Sequence, residues 1–243
     1  MYFKAHFFLT LLAILVLGLL LSLGFWQLER AQQKQDMLDL QAERIKLDPV
    51  DVESIPMPDD KLRYLPVTLS GQLDSEQQIL IDNQIKQGRA GYFVLTPVKL
   101  NNNKAVLLNR GWVPLGIDRN TLPDVKISST EVSVMGRLDH FPSVGIELEG
   151  ADVLSVGWPA VTQTIDLNKV ADRLGYDVMP YQVLLNNDQA DGYERNWVAL
   201  QMGPEKHHGY AFQWFALAFT WVVIYFLLTI KKGVKKNGII DKK

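Results

Sequence analysis

The sequence predicts a membrane-anchored α+β protein in which two transmembrane helices flank an antiparallel β-rich domain, barrel- or sandwich-like, on the extracytoplasmic side. Two observations predict this fold class. An uncharged apolar tract lies near each end of the 243-residue chain, and between the tracts short runs of Val, Leu, Ile and aromatic residues alternate with Gly, Asn and Asp. Long apolar tracts suit a bilayer, whereas short alternating runs separated by turn residues suit strands.

The first apolar tract, residues 7–28, contains no charged side chain. At a rise of about 1.5 Å per residue it is long enough to cross a hydrocarbon core of roughly 30 Å. It ends in GFWQLER, with bulky residues where a signal peptidase requires small ones, which predicts an uncleaved anchor. Residues 29–47 lack Gly and Pro and are rich in helix formers, so they predict a helical extension of the span.

The second apolar tract, residues 210–230, is followed at once by a lysine-rich tail, residues 231–243. Because the cytoplasmic flanks of membrane helices carry an excess of Lys and Arg, this tail is predicted to be cytoplasmic. With two spans the N-terminus is then cytoplasmic as well, and the domain of residues 60–205 faces the opposite compartment. No Arg-rich, acid-poor presequence precedes the first span, so we expect a bacterial inner (cell) membrane and a periplasmic domain.

The domain between the tracts is predicted to consist mainly of strands with one short helix. DLNKVADRLG, residues 166–175, has Asp166 as a helix N-cap and Gly175 as its stop. LNNNKAV, residues 100–106, predicts a hairpin loop because Asn tolerates left-handed backbone angles. Residues 140–157 have weak periodicity and predict a loop. The segments that predict strands are YLPVTLSGQL, QQILID, GYFVLTPVKL, KAVLLNRGW, EVSVMGRL, YQVLLN and RNWVALQM.

Composition excludes several classes of function. The net charge of −2 mixes both signs and gives no basic surface for nucleic acid. Without cysteine there is no disulfide framework, no zinc knuckle, no thiol nucleophile and no CxxxC copper site. The catalytic signatures GxSxG, HExxH, the Walker loop and GxGxxG are missing as well, so the sequence does not predict an enzyme.

Two of the four histidines, His207 and His208, stand directly before the second apolar tract. An imidazole above an apolar stripe suits a large flat ligand with an axial metal, which is a haem. The alternative is ordinary interfacial composition, because Trp and Tyr gather at membrane surfaces in any case. Counted at helical spacing from His207, the residues that share its face are Tyr210, Trp214, Leu217, Trp221 and Tyr225.

Two arginines each precede a tryptophan by two residues: Arg110 in NRGW and Arg195 in RNW. One interpretation is an exposed arginine at a hairpin corner. The other is a guanidinium that pairs with a carboxylate, since its planar fork suits bidentate contacts. The sequence leaves both interpretations open.

Three segments are read together: LGFWQLERAQQK after the first span, VLLNRGWVP in the domain, and RNWVALQMGPEKHHGYAFQWFALA leading into the second span. In this order they resemble the signature regions of the surfeit locus protein 1 family of cytochrome c oxidase assembly factors. The resemblance implies an accessory protein for the catalytic subunit of a haem-copper oxidase, one that binds haem a and assists its insertion without catalytic turnover. Haem a synthase is a further candidate partner. A protein-binding scaffold that carries no haem is the alternative.

The resemblance also implies roles for individual residues. His207 stands three residues before the Tyr of the YxxQW element and is the implied axial ligand of haem iron, whereas His208 stands where the family commonly has leucine. In the haem-binding hypothesis, Tyr210 and Trp214 of the helical stripe cover the macrocycle, and Arg110 or Arg195 is a candidate partner of its propionates. The other matching residues are Gly24, Trp26, Gln27 and Arg30 in the first segment and Asn109, Gly111 and Trp112 in the second.

Overall fold

The computed structural model describes residues 2–55, 62–116, 119, 121–127, 129–143, 149–197 and 203–237. The chain divides into two compact units. One unit contains the long helices at the two ends of the chain, and the other spans Leu40–Val198 and contains the sheet. Each unit is described by itself below.

The helical unit is built from α1, Tyr2–Arg44, and α3, Pro204–Asn237. By length and composition, Phe7–Arg44 and Pro204–Leu228 are each long and apolar enough to cross a membrane. The helix α1 runs without a break through most of the predicted extension, because no Gly or Pro interrupts it. The helix α3 continues into the predicted basic tail, of which residues 238–243 lie outside the described part.

The two long helices contact each other along a seam with heptad spacing. Buried or half-buried residues recur three and four positions apart on both helices. This spacing is the one that lets two helices pack side by side at a small crossing angle. On α1 the seam residues are Thr10, Ala13, Leu17, Leu20, Gly24, Gln27 and Ala31. On α3 they are Pro204, His207, Ala211, Trp214, Ala218, Trp221 and Tyr225.

Within the described residues of the sheet unit, eight strands form one mixed sheet. They are β1 (Val50–Asp51), β2 (Pro66–Leu73), β3 (Ile79–Lys86), β4 (Arg89–Lys99), β5 (Ala105–Pro114), β6 (Glu131–Asp139), β7 (Ala160–Thr162) and β8 (Val178–Leu185). Their order in the sheet is β1-β2-β6-β8-β5-β4-β3-β7, and β2 also pairs with β4 at Gln72 and Leu73. A short helix α2, Leu167–Leu174, packs its buried Val170 and Leu174 against the cluster around Ile79 and Leu107.

The prediction of an antiparallel domain is wrong for three strand pairs. The pairs β1–β2, β3–β7 and β5–β8 are parallel, so the sheet is mixed, whereas the sequence predicted antiparallel pairing. Alternation of apolar residues indicates which face of a strand is buried, but it says nothing about the direction of the neighbouring strand. Parallel pairs need a long connection, and β8 returns beside β5 only after the chain has passed through α2.

The first six of the seven segments predicted as strands each contain one. Residues 195–197 of RNWVALQM lie outside any strand, and residues 198–202 lie outside the described part. The strands β1 and β7 were not predicted, because two or three residues are too few to show alternation. The hairpin loop before β5 is confirmed, with Asn103 at φ 65°. The described part of residues 140–157 contains neither helix nor strand, and residues 144–148 are not described.

The prediction for α2 is confirmed at both ends. The Asp166 side chain accepts hydrogen bonds from the main-chain N–H groups of Asn168 and Lys169, and Gly175 ends the helix at φ 81°. A left-handed residue at this position is what allows the last carbonyls of a helix to be satisfied, and glycine adopts it without steric cost.

Candidate functional site

The first turn of α3 places His207 on the seam of the helical unit. The helix begins at Pro204, where the missing N–H is one that the start of any helix leaves unpaired. Glu205 adds a negative charge to the first turn, which the helix dipole favours. His207 is half-buried in the seam, whereas the neighbouring His208 is exposed. The two histidines therefore have different surroundings although they are adjacent.

Gln27 of α1 holds one nitrogen of the His207 ring. The Nδ1 atom of His207 lies 2.8 Å from the Oε1 atom of Gln27. An amide oxygen only accepts hydrogen bonds, so this contact is a hydrogen bond when Nδ1 carries the proton, and in that neutral tautomer the lone pair is on Nε2. Histidines that bind metals are held in this way, with one ring nitrogen donating to an oxygen and the other facing the metal. Within the described part of the chain, Nε2 has no hydrogen-bond partner.

The residues predicted to line a haem divide into two groups. Trp221 donates its Nε1–H to the Ala13 carbonyl at 3.0 Å, and the Tyr225 hydroxyl lies 2.9 Å from the Thr10 hydroxyl. Trp214 is half-buried on the same seam. These three side chains therefore take part in the contact with α1. Tyr210 is 49% exposed, and with Leu217 it forms the accessible part of the predicted stripe.

The matching residues of α1 surround this point of the seam. Gly24 is buried, and a Cβ atom at this position would lie 2.6 Å from the ring of Phe215 on α3. The glycine thus permits a close approach of α3 to α1 at this level. Phe25 stacks edge-on with Phe215 at a centroid distance of 5.4 Å, while Trp26 is exposed. Arg30 is also exposed and donates to the Gln33 side chain at 2.9 Å.

The side chains around His207 fit a haem. A haem iron needs a neutral imidazole with an available nitrogen lone pair, and the bond to Gln27 sets the tautomer that supplies it. The macrocycle needs apolar surface. Two exposed aromatic side chains are close in sequence to the contact, Trp26 beside Gln27 and Tyr210 three residues after His207. Among the described residues no group of three or more His, Asp or Glu side chains could hold a metal ion.

Arg110 lies in the sheet unit, with only 2% of its surface exposed. It donates to the carbonyls of Val125 and Asp191 and to the side-chain oxygen of Gln78, at 2.6, 3.1 and 2.8 Å. The Tyr193 ring covers the guanidinium at 5.0 Å. Burial lowers the pKa of Arg110 below its ordinary value. Because Arg110 is buried, its interpretation as an exposed corner is wrong. Its hydrogen bonds tie β5 to two loops, and none of its partners in the described part of the chain is a carboxylate.

Arg195 also forms hydrogen bonds to main-chain carbonyls within the sheet unit. Its guanidinium donates to the main-chain carbonyls of Asn186, Asn187 and Gln189 at distances of 2.6, 3.2 and 2.9 Å. The side chain also passes close to Gly111, where an added Cβ atom would lie 2.8 Å from the Arg195 Cγ atom. Arg195 therefore links three main-chain carbonyls of the loop that follows β8.

The remaining residues of NRGW complete a polar contact network. The Asn109 side chain donates to Gln182 at 2.9 Å and accepts from the Gly111 N–H at 3.1 Å. The indole N–H of Trp112 donates to the Gln84 carbonyl at 2.8 Å. These groups are buried, and each buried polar group that has a partner avoids the desolvation cost of an unpaired one. In this structure the motif stabilises the sheet.

Residues 14–219 match the model of the SURF1 family. The chain belongs to the SURF1 family. The alignment with a SURF1-like protein of Rickettsia felis is 23% identical over 226 residues and covers 89% of this chain and 94% of the relative. A SURF1-like protein of Rickettsia bellii is 24% identical, with 95% and 94% of the two chains covered. The cytochrome oxidase assembly protein SHY1 of Saccharomyces cerevisiae is 27% identical over 109 residues, 41% of this chain and 28% of the relative.

The predicted resemblance to this family is therefore confirmed, and the SURF1 match covers both the Gln27–His207 contact and the NRGW network. The structure brings together Gln27 and His207, which the resemblance implied separately. Sequence analysis missed Gln78 and Gln182, the side-chain partners of Arg110 and Asn109. A single glutamine within a strand pattern carries no local signal that its partner lies elsewhere in the chain.

Proposed function

We propose that this member of the SURF1 family is a membrane-anchored assembly factor for a haem-copper cytochrome oxidase. It assists assembly without catalytic turnover. In this proposal His207 holds haem a through its Nε2 atom, and the protein delivers the haem to the catalytic subunit of the oxidase. Haem a synthase is the candidate source of the haem. The printed name of the yeast relative, a cytochrome oxidase assembly protein, supports the assembly role.

The observation that carries the haem proposal is the state of the His207 ring. Its Nδ1 atom is held by Gln27 at 2.8 Å, which leaves the lone pair on Nε2. A bound haem supplies an iron centre and a large apolar surface, and His207 would provide one axial bond while Tyr210 would contact the macrocycle. Arg110 and Arg195 already donate to carbonyls within the sheet unit, so we give them a structural role in place of the predicted propionate contacts.

The two apolar helices support anchoring in a bacterial inner membrane, with both termini cytoplasmic and the sheet unit periplasmic. This orientation follows from the lysines that come after residue 230. Alkaline phosphatase, which is active only outside the cytoplasm, is expected to be active when fused after about residue 150 and inactive when fused after Lys243. The reverse pattern would contradict the orientation and would move His207 to the cytoplasmic side.

The haem proposal is tested by two adjacent substitutions in the full chain, purified in detergent from cells that make haem a. His207→Ala removes the axial nitrogen, so we expect the pigment and its optical spectrum to be lost. His208→Leu changes an exposed neighbour to the residue common in the family, so we expect the pigment to remain. Full pigment in both variants would overturn the assignment of His207. Loss in His208→Leu alone would mean that the ligand is the other histidine.

A scaffold function without haem is the second candidate, and one observation favours it. Among the described residues three polar contacts join the two helices, Gln27–His207, Ala13–Trp221 and Thr10–Tyr225, so His207 also helps to hold the helices together. A scaffold would co-purify with the oxidase catalytic subunit without pigment, and His207→Ala would keep that subunit bound. A haem carrier would contain pigment in the absence of the subunit. Purification from a strain that lacks the catalytic subunit distinguishes the two.

A further inference from the structure

We infer that Gln27 is the positioning residue for His207, setting which ring nitrogen is available to an incoming iron. This inference rests on the proposed function and adds to it a residue of the other helix. The two side chains are 180 positions apart in the sequence, yet they meet at 2.8 Å on the seam. Residues of two helices therefore contribute to the proposed iron site: the ligand lies on α3, and the acceptor that orients it lies on α1.

The chemistry of the contact selects one tautomer. The Oε1 atom of Gln27 has no proton to donate, so it is paired only when Nδ1 of His207 is protonated. If the acceptor is removed, the neutral ring can exchange its proton between the two nitrogens and can rotate about its side-chain bonds. Both changes reduce the fraction of protein in which the Nε2 lone pair points to one fixed place. An oxygen acceptor on Nδ1 also increases the electron donation of the ring to a metal.

The position of Gln27 is one where an apolar residue would otherwise suit the fold. It lies on the seam, between buried Gly24 and buried Ala31, one position before the end of the uncharged tract. A polar amide that is buried between helices loses its hydrogen bonds to water, and it is costly to bury unless a protein partner replaces them. The side-chain hydrogen bond found for Gln27 in the described part of the chain is the one to His207.

The other polar contacts of the seam supply a matched control. Thr10 and Tyr225 also join α1 to α3 through side-chain oxygens, at 2.9 Å, but several helical turns from His207. A substitution at Thr10 removes an interhelical hydrogen bond without touching the imidazole. If the effect of Gln27 were only to hold the helices together, Thr10→Val and Gln27→Leu would have similar consequences for the ring and for haem binding.

The tautomer is measured first, on the haem-free full chain in detergent micelles with ¹⁵N-labelled histidine. The His207 signals are identified by their absence in His207→Ala. In the parent chain and in Thr10→Val we expect a protonated Nδ1 and an unprotonated Nε2. In Gln27→Leu we expect averaged shifts of a ring that exchanges between tautomers. A protonated Nε2 in the parent chain, or an unchanged tautomer in Gln27→Leu, would overturn the inference.

Haem binding is measured second, by titrating the same proteins with ferric haem a. Loss of a group that orients a metal ligand typically weakens metal binding about 10- to 100-fold, and we expect a Kd increase of this size for Gln27→Leu. Gln27→Glu keeps an acceptor for Nδ1–H, so we expect haem binding to be retained and the reduction potential of the bound haem to fall, because a carboxylate makes the ring a stronger donor. Thr10→Val is expected to bind as the parent chain does.

The outcomes separate this inference from the proposed function. If His207→Ala keeps its haem, the proposed ligand is wrong and the role of Gln27 fails with it. If His207→Ala loses haem but Gln27→Leu binds with the parent affinity and potential, only the positioning role is wrong. If Gln27→Leu does not insert or fold, Gln27→Glu decides: a reduction potential of the bound haem equal to that of the parent chain contradicts the inference.

Discussion

The sheet unit and the helix pair both contain buried or half-buried polar side chains, but they use them differently. In the sheet unit the terminal guanidinium nitrogens of Arg110 and Arg195 donate to fixed oxygens of the same unit, although the buried Nε of Arg110 has no partner among the described residues. In the helix pair one ring nitrogen of His207 is hydrogen-bonded to Gln27, and the other ring nitrogen has no partner among the described residues. Polar groups that are mutually satisfied stabilise a fold, whereas a ring with one nitrogen held and one available can bind a ligand.

The two regions also differ in the size of the side chains at their contacts. The sheet core is filled by large residues such as Trp112, Tyr92 and Leu69. The residues most deeply buried on the helix seam are small, and they include Gly24, Ala31, Ala211 and Ala218. We therefore expect the sheet to be sensitive to loss of a buried group and the helix pair to be sensitive to added volume.

The largest effect is expected for Arg110→Met in the sheet unit. The substitution removes the hydrogen bonds that Arg110 donates to Gln78, Val125 and Asp191, although Gln78 and Val125 each keep one other donor. A hydrogen bond to a charged group contributes about 1.5–3 kcal/mol. We expect a loss of roughly 3 kcal/mol or more in the free energy of unfolding of the sheet unit, again from this contribution per hydrogen bond. Urea denaturation of the full chain in detergent, followed by the strand signal in circular dichroism, measures it.

Arg89→Met is the matched control for Arg110→Met. Arg89 is exposed, and its guanidinium lies 5.5 Å from the centroid of the Trp112 ring. Loss of an exposed cation–π contact costs about 0.5–1 kcal/mol. Equal urea midpoints for the two variants would contradict the view that the buried hydrogen bonds of Arg110 stabilise the sheet.

In the helix pair the next largest effect is expected for Gly24→Ala. The added methyl group would lie 2.6 Å from the ring of Phe215, so the helices must separate or the ring must move. Overpacking of this kind costs about 1–3 kcal/mol. Gly18→Ala is the control, because nothing lies within 4 Å of its Cβ position and alanine favours a helix. In reversible unfolding with mixed micelles that contain dodecyl sulfate, we expect Gly24→Ala to lower the free energy of unfolding and Gly18→Ala not to lower it. Identical curves would show that the glycine is not needed for the contact.

A smaller effect is expected for Trp221→Phe. It removes the hydrogen bond from the indole N–H to the Ala13 carbonyl and keeps most of the aromatic surface. Interhelical hydrogen bonds of membrane proteins contribute about 0.6 kcal/mol on average, so we expect a loss of this size in the same micelle assay. Trp26→Phe, at an exposed position, is expected to change nothing. A loss above that of Gly24→Ala would mean that polar contacts, and not small residues, hold the pair.

The smallest effect is expected at the surface of the sheet unit, for Lys169→Met. A hydrogen bond from Lys169 holds the pKa of the Asp152 carboxyl below its ordinary value. A depressed folded-state pKa stabilises the protein above the unfolded carboxyl pKa, and this stabilisation is lost as the pH falls through the folded pKa. We expect Lys169→Met to lower the Tm slightly near pH 7 and to match the parent chain in acid. A difference that persists in acid would assign the effect to another contact of Lys169.

Local pattern was enough to predict most elements of this protein. The apolar tracts, the strand segments from β2 to β6, and the caps of α2 at Asp166 and Gly175 all depend on residues within a few positions of each other. Periodicity and capping act over that distance, so a single sequence contains them. The strands β1 and β7 were missed because they are short and are held by the strands beside them.

The candidate site was predicted in part. Helical spacing correctly separated His207 from His208, which differ in exposure. The same spacing grouped Trp214, Trp221 and Tyr225 as a face for a ligand, but it cannot indicate whether a helix face is covered by another helix. The arginines at 110 and 195 were recognised as unusual because each stands near a Trp, while their carbonyl partners could not be inferred from composition.

The sequence by itself determined two long apolar helices around a strand-rich domain, because length, charge and alternation are properties of neighbouring residues. Only the tertiary structure decided that β5 and β8 are parallel, that Arg110 is buried beneath Tyr193, and that Gln27 meets His207. Those partners are separated by 83 positions for Arg110 and Tyr193 and by 180 for Gln27 and His207. Contacts between residues so far apart depend on how whole elements pack, and the local pattern around each residue is compatible with many packings.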